Sequence, residues 1–427
     1  MNENEFSRIE QFRQFRKRIR GAKAYLIVGI DIAKSKHHAF FGTANGRTVL
    51  KGLVVENSAS GFEHLLTMVQ FYMDRDGFKQ LVFGVEPTGV YHKPLSEFLI
   101  EHDHLVVYVT NEAIKNNRKL LDGRWDKNDT KDAANVADLI AQGKCHYYDF
   151  PDHGLRDIRG WLLFRKRLKK RLHACRVRIR NNLVAQYFPE MDKHWNKAES
   201  ENLAIVRWCL SPRKVNDTSF EKFYEMVTTR NRGMRQYRRL HKIWEMAPHS
   251  IGCRASAASQ LEARLLVENL YYLKEQIGEV ERTIFDISRS YQEYKCLLTI
   301  PGFGPYVSAV VLGAIGNPYR FENASQVIRL AGFDLNAHRS GKTSATAVPV
   351  ISKKGKADLR YALYQAALIA SSLTIHFREY YHRLLDGRQK EKGIRTKMRV
   401  KLATKLLVIA WTLMKKKESF DPVYLKT

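Results

Sequence analysis

The sequence predicts an α/β domain followed by a mainly helical remainder, on three observations. Apolar strand-like runs alternate with helical periodicity up to about residue 150. Beyond that point the apolar spacing is three-and-four over long stretches, and 427 residues are too many for one core, so two or three domains are expected.

In chain order, Tyr25 to Ile32 is a continuous apolar run broken by Asp31, as in a central strand buried on both faces. A carboxylate inside such a strand is costly unless a metal or cation meets it. His37 to Thr43 and Arg47 to Glu56 continue as a meander joined by Asn45-Gly46, a strong hairpin signal. Gly61 to Met73 reads as a covering helix. Leu81 to Gly89 repeats the first pattern, with Pro87 and Gly89 turning the chain so that Glu86 stands at the strand's tip. Leu95 to Ile100 is a helix and Leu105 to Val109 a further strand. Asp122, Gly123 and Asp126 then break the chain before a helix whose buried stripe is Ala133, Val136, Ala137 and Ile140. Its start carries Asp129 and Asp132, three residues apart and so on one face. Acids there also complement a helix dipole, and the pair gains meaning only beside Asp31 and Glu86.

Three meandering strands, helix, strand, helix, strand and an acidic late helix resemble the ribonuclease-H fold in its RuvC-like form. Four carboxylates converging from separate elements suit hard divalent cations, Mg²⁺ or Mn²⁺, which take oxygen ligands. Two such ions roughly 4 Å apart stabilise the attacking and leaving oxygens of a phosphoryl transfer.

A formal charge of +28 marks a polyanion partner. A membrane role is not expected, because no run approaches about eighteen apolar residues. The longest, Leu402 to Met414, is interrupted by Lys405 and Thr412. Glu5 to Lys23 is charged and lacks the apolar core of a signal peptide, and reads as a basic extension over residues 1–23. Cys145, Cys175, Cys209, Cys253 and Cys296 are scattered without zinc spacing and read as thiols of a reducing cytoplasm.

After the α/β domain (24–150), a helical middle is expected over 151–295. From Arg156 to Tyr187, Trp161, Leu168, Leu172, Cys175 and Ile179 keep a four-three spacing, while Lys166, Arg167, Lys169, Lys170, Arg171 and Arg178 cover the other faces. A rod so basic suggests nucleic acid more than solvent. Shorter helices between Met191 and Ile251 carry a second cluster: Arg230, Arg232, Arg235, Arg238, Arg239, His241 and Lys242. Leu266, Leu270, Leu273, Ile277, Val280, Ile284 and Ile287 then form a coiled-coil-like seam of roughly 30 Å. It can pair with the first helix as an intrachain hairpin or with another protomer.

The last region, 296–427, opens at Pro301-Gly302-Phe303-Gly304-Pro305, which looks like a helix-hairpin-helix whose glycines let backbone N–H groups approach a phosphate. A polar loop holding Arg339-Ser340-Gly341-Lys342 follows, then Ser352-Lys353-Lys354-Gly355 and Leu359-Arg360 leading into an apolar helix. With Gly29-Ile30-Asp31-Ile32-Ala33-Lys34, Glu86-Pro87-Thr88-Gly89 and Asn128-Asp129-Thr130-Lys131-Asp132-Ala133, these motifs run in one order from about Ala24 to Lys415. Together they resemble the IS110 (IS1111) insertion-sequence transposases, DEDD serine recombinases guided by a bridge RNA. Many relatives show two serines and two glycines where this loop has one of each.

The resemblance implies that Asp31, Glu86, Asp129 and Asp132 bind Mg²⁺ and that Ser340 is the nucleophile. It further implies donor and target DNA and a bridge RNA as partners, dimers joining as a tetramer, and a place at the nucleoid of a bacterial or archaeal cytoplasm. Gly302, Gly304, Arg339, Lys342, Lys353, Lys354 and Arg360 are then candidate nucleic-acid contacts. A serine hydroxyl needs a base or metal and nearby cations to attack phosphorus, although a Ser-Gly pair is also ordinary turn chemistry. Ser344 and Ser352 compete for the role, Ser352 more as a cap. Two other classes stay open: a metal-dependent nuclease or resolvase using water, and a non-catalytic nucleic-acid scaffold.

Overall fold

The computed structural model describes residues 3–121, 129–195, 200–208, 210–228, 230, 233–336 and 350–425. They form two compact units, 1–152 with 317–322, and 153–316 with 323–427.

In the first unit, α1 (Glu3–Arg18) precedes β1 (Tyr25–Asp31), β2 (Lys36–Thr43), β3 (Thr48–Glu56), α2 (Ala59–Asp76), β4 (Gln80–Val85), α3 (His92–Glu101), β5 (Val106–Tyr108), α4 (Asn111–Leu121), α5 (Asp129–Ala141) and β6 (His146–Tyr147). The strands make one mixed sheet in the order β3-β2-β1-β4-β5-β6, as expected of a ribonuclease-H-like α/β domain. β1 runs parallel to β4, and β4 to β5, while β2, β3 and β6 are antiparallel to their neighbours. Alternation along the strands sorts side chains into two layers. Leu26, Val28, Ile30, Phe83 and Val85 pack with Leu65, Val69, Leu95 and Leu99 of α2 and α3. Tyr25, Ile27 and Val82 face the other way, against Val136, Ala137, Leu139 and Ile140 of α5.

The expected basic extension is part of this core. Phe12, Phe15 and Ile19 are buried in the α5 layer, so an amphipathic face lies beneath the charges of α1. Residues 317–322 join the same unit: Arg320 pairs with Asp149 at 2.6 Å, and Arg13 donates to the Tyr319 carbonyl at 2.7 Å. The buried Cys145 thiol is pushed up to about 12 by desolvation, which keeps it protonated and inert.

The second unit begins with α6 (His153–Val177), which passes into a π-helical segment, Arg178–Val184, and the short α7 (Ala185–Tyr187). The helix expected from Arg156 to Tyr187 is thus one unbroken helical run, π-helical over Arg178–Val184. α8 (Ser200–Trp208), α9 (Pro212–Asn216), α10 (Phe220–Val227) and α11 (Met234–Met246) lead to the long α12 (Ala257–Arg289). α6 and the π-helical segment that continues it pack antiparallel to α12 within the chain: Arg165 of α6 meets Glu281 at 2.5 Å, while Arg178, at the start of the π-helical segment, meets Glu262, earlier on α12, at 2.6 Å. The buried stripe of α12 runs through Ala263, Val267, Leu270, Leu273, Ile277, Val280 and Ile284. Expected Leu266 and Ile287 are only half-buried, since a helix of 3.6 residues per turn drifts off a strict heptad.

α13 (Gln292–Leu298), α14 (Pro305–Ile315), α15 (Ala324–Ala331), the ribbon of β7 (Leu335–Asn336) and β8 (Val350–Ile351), and α16 (Ala357–Leu373), α17 (Ile375–Leu385) and α18 (Ile394–Lys416) complete the unit. α14 is buried from Val307 to Ile315. Leu402, Leu406, Leu407, Ala410 and Leu413 make α18 a core helix, and no described helix is long and apolar enough to cross a membrane.

One substitution tests how α5 is seated. A Cβ on Gly29 would lie 2.6 Å from the Ala137 nitrogen and closer still to the Ala133 carbonyl oxygen, both backbone atoms that cannot turn away. Gly29→Ala should therefore cost about 1–3 kcal/mol in denaturant unfolding. A midpoint equal to that of the unmodified protein would show that α5 does not lie on this strand.

Candidate carboxylate centre and serine ribbon

Gly29 pairs with Gly84 across β1 and β4, and α5 crosses above both. Gly29 faces Ala133 and Ala137, and Gly84 faces Val136 and Ile140. The far end of α5 lies by the start of β1, where Arg20 Nε donates to the Gln142 carbonyl at 3.1 Å. The N-terminal end of α5 is therefore directed toward the C-terminal ends of the strands. Asp31 ends β1, and Glu86 follows β4, its backbone N–H donating to the Ile30 carbonyl at 3.4 Å. Two residues beyond Gly29 and Gly84 respectively, both acids belong to the α5 side of the sheet. The strands and α5 thus bring Asp31, Glu86 and the start of α5 to one end of one face.

Asp132 accepts from Arg118 of α4 at 2.5 Å, which gives this part-buried carboxylate the positive charge it needs. The side chain of Asp129 lies outside the described residues. Among those that are described, no three His, Cys, Asp or Glu side chains come close enough together to hold a metal. In donor chemistry the set still fits a hard cation, with oxygen ligands on neighbouring strand ends and on the helix above them.

Polar contacts that sequence reasoning missed fix this geometry. Asn117 donates to Asn135 at 2.8 Å and to Asp138 at 2.7 Å, and Asn135 donates to the Ile114 carbonyl at 3.0 Å, locking α4 to α5. The signal was an asparagine set inside the apolar stripe of α5. His37 is buried, and its Nδ1 accepts the Ala33 N–H at 3.3 Å, holding the loop that follows Asp31. Desolvation pushes the His37 pKa down, consistent with a neutral, accepting ring.

The basic rod is partly neutralised by acids the linear sequence did not place beside it. Lys166 pairs with Asp358 at 2.9 Å, Lys169 lies 3.9 Å from Glu281, and Arg178 is tied to Glu262. Arg167, Lys170 and Arg171 are exposed, with no carboxylate partner among the described residues. The two glycines of the Pro-Gly-x-Gly turn also differ. Gly302 has φ +92° and sits against α16, where a Cβ would lie 2.6 Å from the Ala366 carbonyl oxygen. Gly304, by contrast, has open space where a Cβ would stand, and it caps α14.

Arg339, Ser340, Lys342 and Ser344 lie outside the described residues. The two ends of their segment are joined by the β7–β8 ribbon, Leu335 opposite Ile351 and Asn336 opposite Val350. Ser352 anchors its base: the hydroxyl donates to Asp334 at 2.7 Å and accepts the Lys354 N–H at 3.2 Å. That bonding ties the Ser352 hydroxyl into the base of the ribbon. Lys353, in the left-handed region at φ 57°, donates its N–H to the Gly332 carbonyl at 3.1 Å. Gly355 lies so close to α15 that a Cβ would stand 2.6 Å from the Leu330 carbonyl oxygen. Arg360 caps the end of α15 by donating to the Ala331 carbonyl at 2.7 Å. Arg360, a candidate phosphate contact in sequence, is thus engaged in the fold.

Comparison with known proteins adds the family. A transposase model of the IS110 DEDD type matches residues 28–189, and the model described as the transposase IS116/IS110/IS902 family matches residues 294–382. The 44.8 kDa protein of insertion element IS116 from Streptomyces clavuligerus is 22% identical over 406 residues, covering 92% of this chain and 96% of that protein. The pilin gene-inverting protein of Moraxella lacunata is 24% identical over 400 residues, covering 92% and 97%. The first match spans all four carboxylate positions and the second spans the ribbon and Ser340, so the chain belongs to the IS110 family of insertion-sequence transposases.

Proposed function

We propose that this transposase cuts and rejoins donor and target DNA under the guidance of a bridge RNA, through a covalent phosphoserine intermediate. The observation that carries the reading is the placing of Asp31 and Glu86 at neighbouring parallel strand ends, on the face where α5 begins. Asp31, Glu86, Asp129 and Asp132 would hold Mg²⁺, or Mn²⁺ in its place. Bound there, the cations would neutralise charge building on the phosphate and on the leaving oxygen. Arg118 would then give up Asp132, or share it.

Ser340 is read as the nucleophile. Its Oγ attacks phosphorus, the Oγ–P bond forms, and the bond from phosphorus to the 3′ oxygen breaks. The 3′ oxygen leaves as a hydroxyl once protonated, and the 5′ end stays on the protein as a phosphoserine ester. Ester is exchanged for ester, so attack by another strand's 3′ hydroxyl reseals DNA without an external energy source, which hydrolysis cannot do. The Moraxella relative is named a pilin gene-inverting protein, and inverting a gene also requires that cut strands be rejoined. We read the α6–α12 pair as the coiled-coil arm of a dimer that joins as a tetramer, and Gly304 as a phosphate-approach point of a helix-hairpin-helix.

Two tests follow. Asp31→Asn or Glu86→Gln should lower strand cleavage by at least about a hundredfold, because one lost anionic ligand weakens cation binding, while oligonucleotide binding persists. Cleavage at the unmodified rate in both variants would leave the acids a structural role only.

Ser340→Ala should give no covalent adduct on denaturing gels and keep nucleic-acid binding. If active sites are shared between protomers, mixing it with Asp129→Asn should restore part of the cleavage. An adduct at full strength from Ser340→Ala would move the nucleophile elsewhere, and metal-dependent cutting with no adduct in the unmodified protein would mean that water attacks.

A further inference from the structure

Asp132 has two claimants. The proposed cation would take its carboxylate, and Arg118 already holds it: Nη2 lies 2.5 Å from Oδ1, with the two side chains 25% and 13% exposed. The pair joins α5 to the last part of α4, yet the two helices have other contacts. Asn117, the residue before, is buried and donates to Asn135 and Asp138, and Asn135 donates back to the Ile114 carbonyl. α4 is thus fastened to α5 by bonds that do not involve Arg118, and these keep its guanidinium within reach of Asp132.

Little else holds that guanidinium. The bond to Asp132 is its one hydrogen bond among the described residues, and its Nε is buried and meets no acceptor among them. A buried N–H left unpaired costs free energy, so the pose persists only while the charge of Asp132 draws it in. A divalent ion on the same carboxylate would stand about 2 Å from an oxygen, and so only a few ångströms from the guanidinium. Like charges that close repel strongly where water is partly excluded. A neutral hydrogen-bond donor could stay behind a metal ligand as its outer partner, but a second cation is driven off.

We infer that Arg118 is a positioning residue of the carboxylate centre, a built-in counter-ion that holds Asp132 in place and competes with the metal for it. The inference rests on the reading of Asp31, Glu86, Asp129 and Asp132 as one cation site. Metal loading is then an exchange of partners: the ion takes the Asp132 carboxylate, and the guanidinium is released and becomes available to a phosphate anion. The free protein accordingly binds the ion more weakly than four carboxylates alone would.

Mn²⁺ binding to the full chain, followed by loss of the free ion's paramagnetic resonance signal, tests the exchange without any need for cleavage. Arg118→Gln should bind Mn²⁺ about tenfold tighter than the unmodified protein, because two ligands that compete for one group weaken each other reciprocally. Arg118→Lys, which keeps the charge, should bind as the unmodified protein does. A residue that merely orients Asp132 gives the opposite sign, with Mn²⁺ binding about tenfold or more weaker in Arg118→Gln. That result, or equal affinity, overturns the counter-ion. A second measurement needs no variant: saturating Mn²⁺ should speed modification of Arg118 by phenylglyoxal, located by mass spectrometry, and slower or unchanged modification contradicts its release. Asp31→Asn separates these failures from failure of the site itself. Mn²⁺ binding that Asp31→Asn leaves unchanged places the ion elsewhere and overturns both readings.

Discussion

The absence of side chains at Gly29 and Gly84 is the constraint on which the first unit depends. These two residues face each other on neighbouring parallel strands, and any Cβ there would meet the backbone or side chains of α5. α5 therefore lies close on the sheet along one line, Ala133 and Ala137 over one glycine and Val136 and Ile140 over the other. The first turn of α5 is carried toward the ends of β1 and β4 as a result. Packing decides where the charges go. The Asn117–Asn135–Asp138 contacts hold the same placement from the outer side, through α4.

In the second unit the governing constraint is electrostatic. A helix as basic as α6 would repel itself, and the acids that relieve it come from distant sequence, Glu281 and Glu262 on α12 and Asp358 on α16. Arg167, Lys170 and Arg171, exposed and with no carboxylate partner among the described residues, are a narrower surface than the sequence suggested. Surface ion pairs of this kind contribute little stability each. Their consequence is positional, setting which cations stay available to phosphate. The same division recurs on α11, where Arg239 is taken up by Glu201 while Arg235, Arg238 and Lys242 have no carboxylate partner among the described residues.

Local patterns made much of this legible. The run broken by Asp31, the turn at Pro87 that leaves Glu86 at a strand tip, and the Asn45-Gly46 hairpin all act within a few residues, and each element lies where it was read. What escaped depends on partners far away in sequence. Phe12, Phe15 and Ile19 have an apolar spacing, but the arginines around them made α1 read as an extension. β6 is two residues long, too short for any alternation to show. The seat of Gly302 against Ala366 depends on a helix far later in the chain. The hydroxyl of Ser352 is held by Asp334, 18 residues earlier, across the base of the ribbon. Arg360 was read as a candidate nucleic-acid contact, and the carbonyl it caps belongs to another helix.

The central claim is that the carboxylates at the strand ends and at the start of α5 form one cation site. Iron(II) loaded in place of Mg²⁺, with ascorbate and peroxide, generates hydroxyl radicals that cut the backbone only near the bound ion, and mass spectrometry locates the cuts. The account predicts cuts clustered around residues 31, 86 and 129–132, suppressed by excess Mg²⁺ and lost in Asp31→Asn. Cuts confined to other segments, or unchanged in that variant, would contradict it.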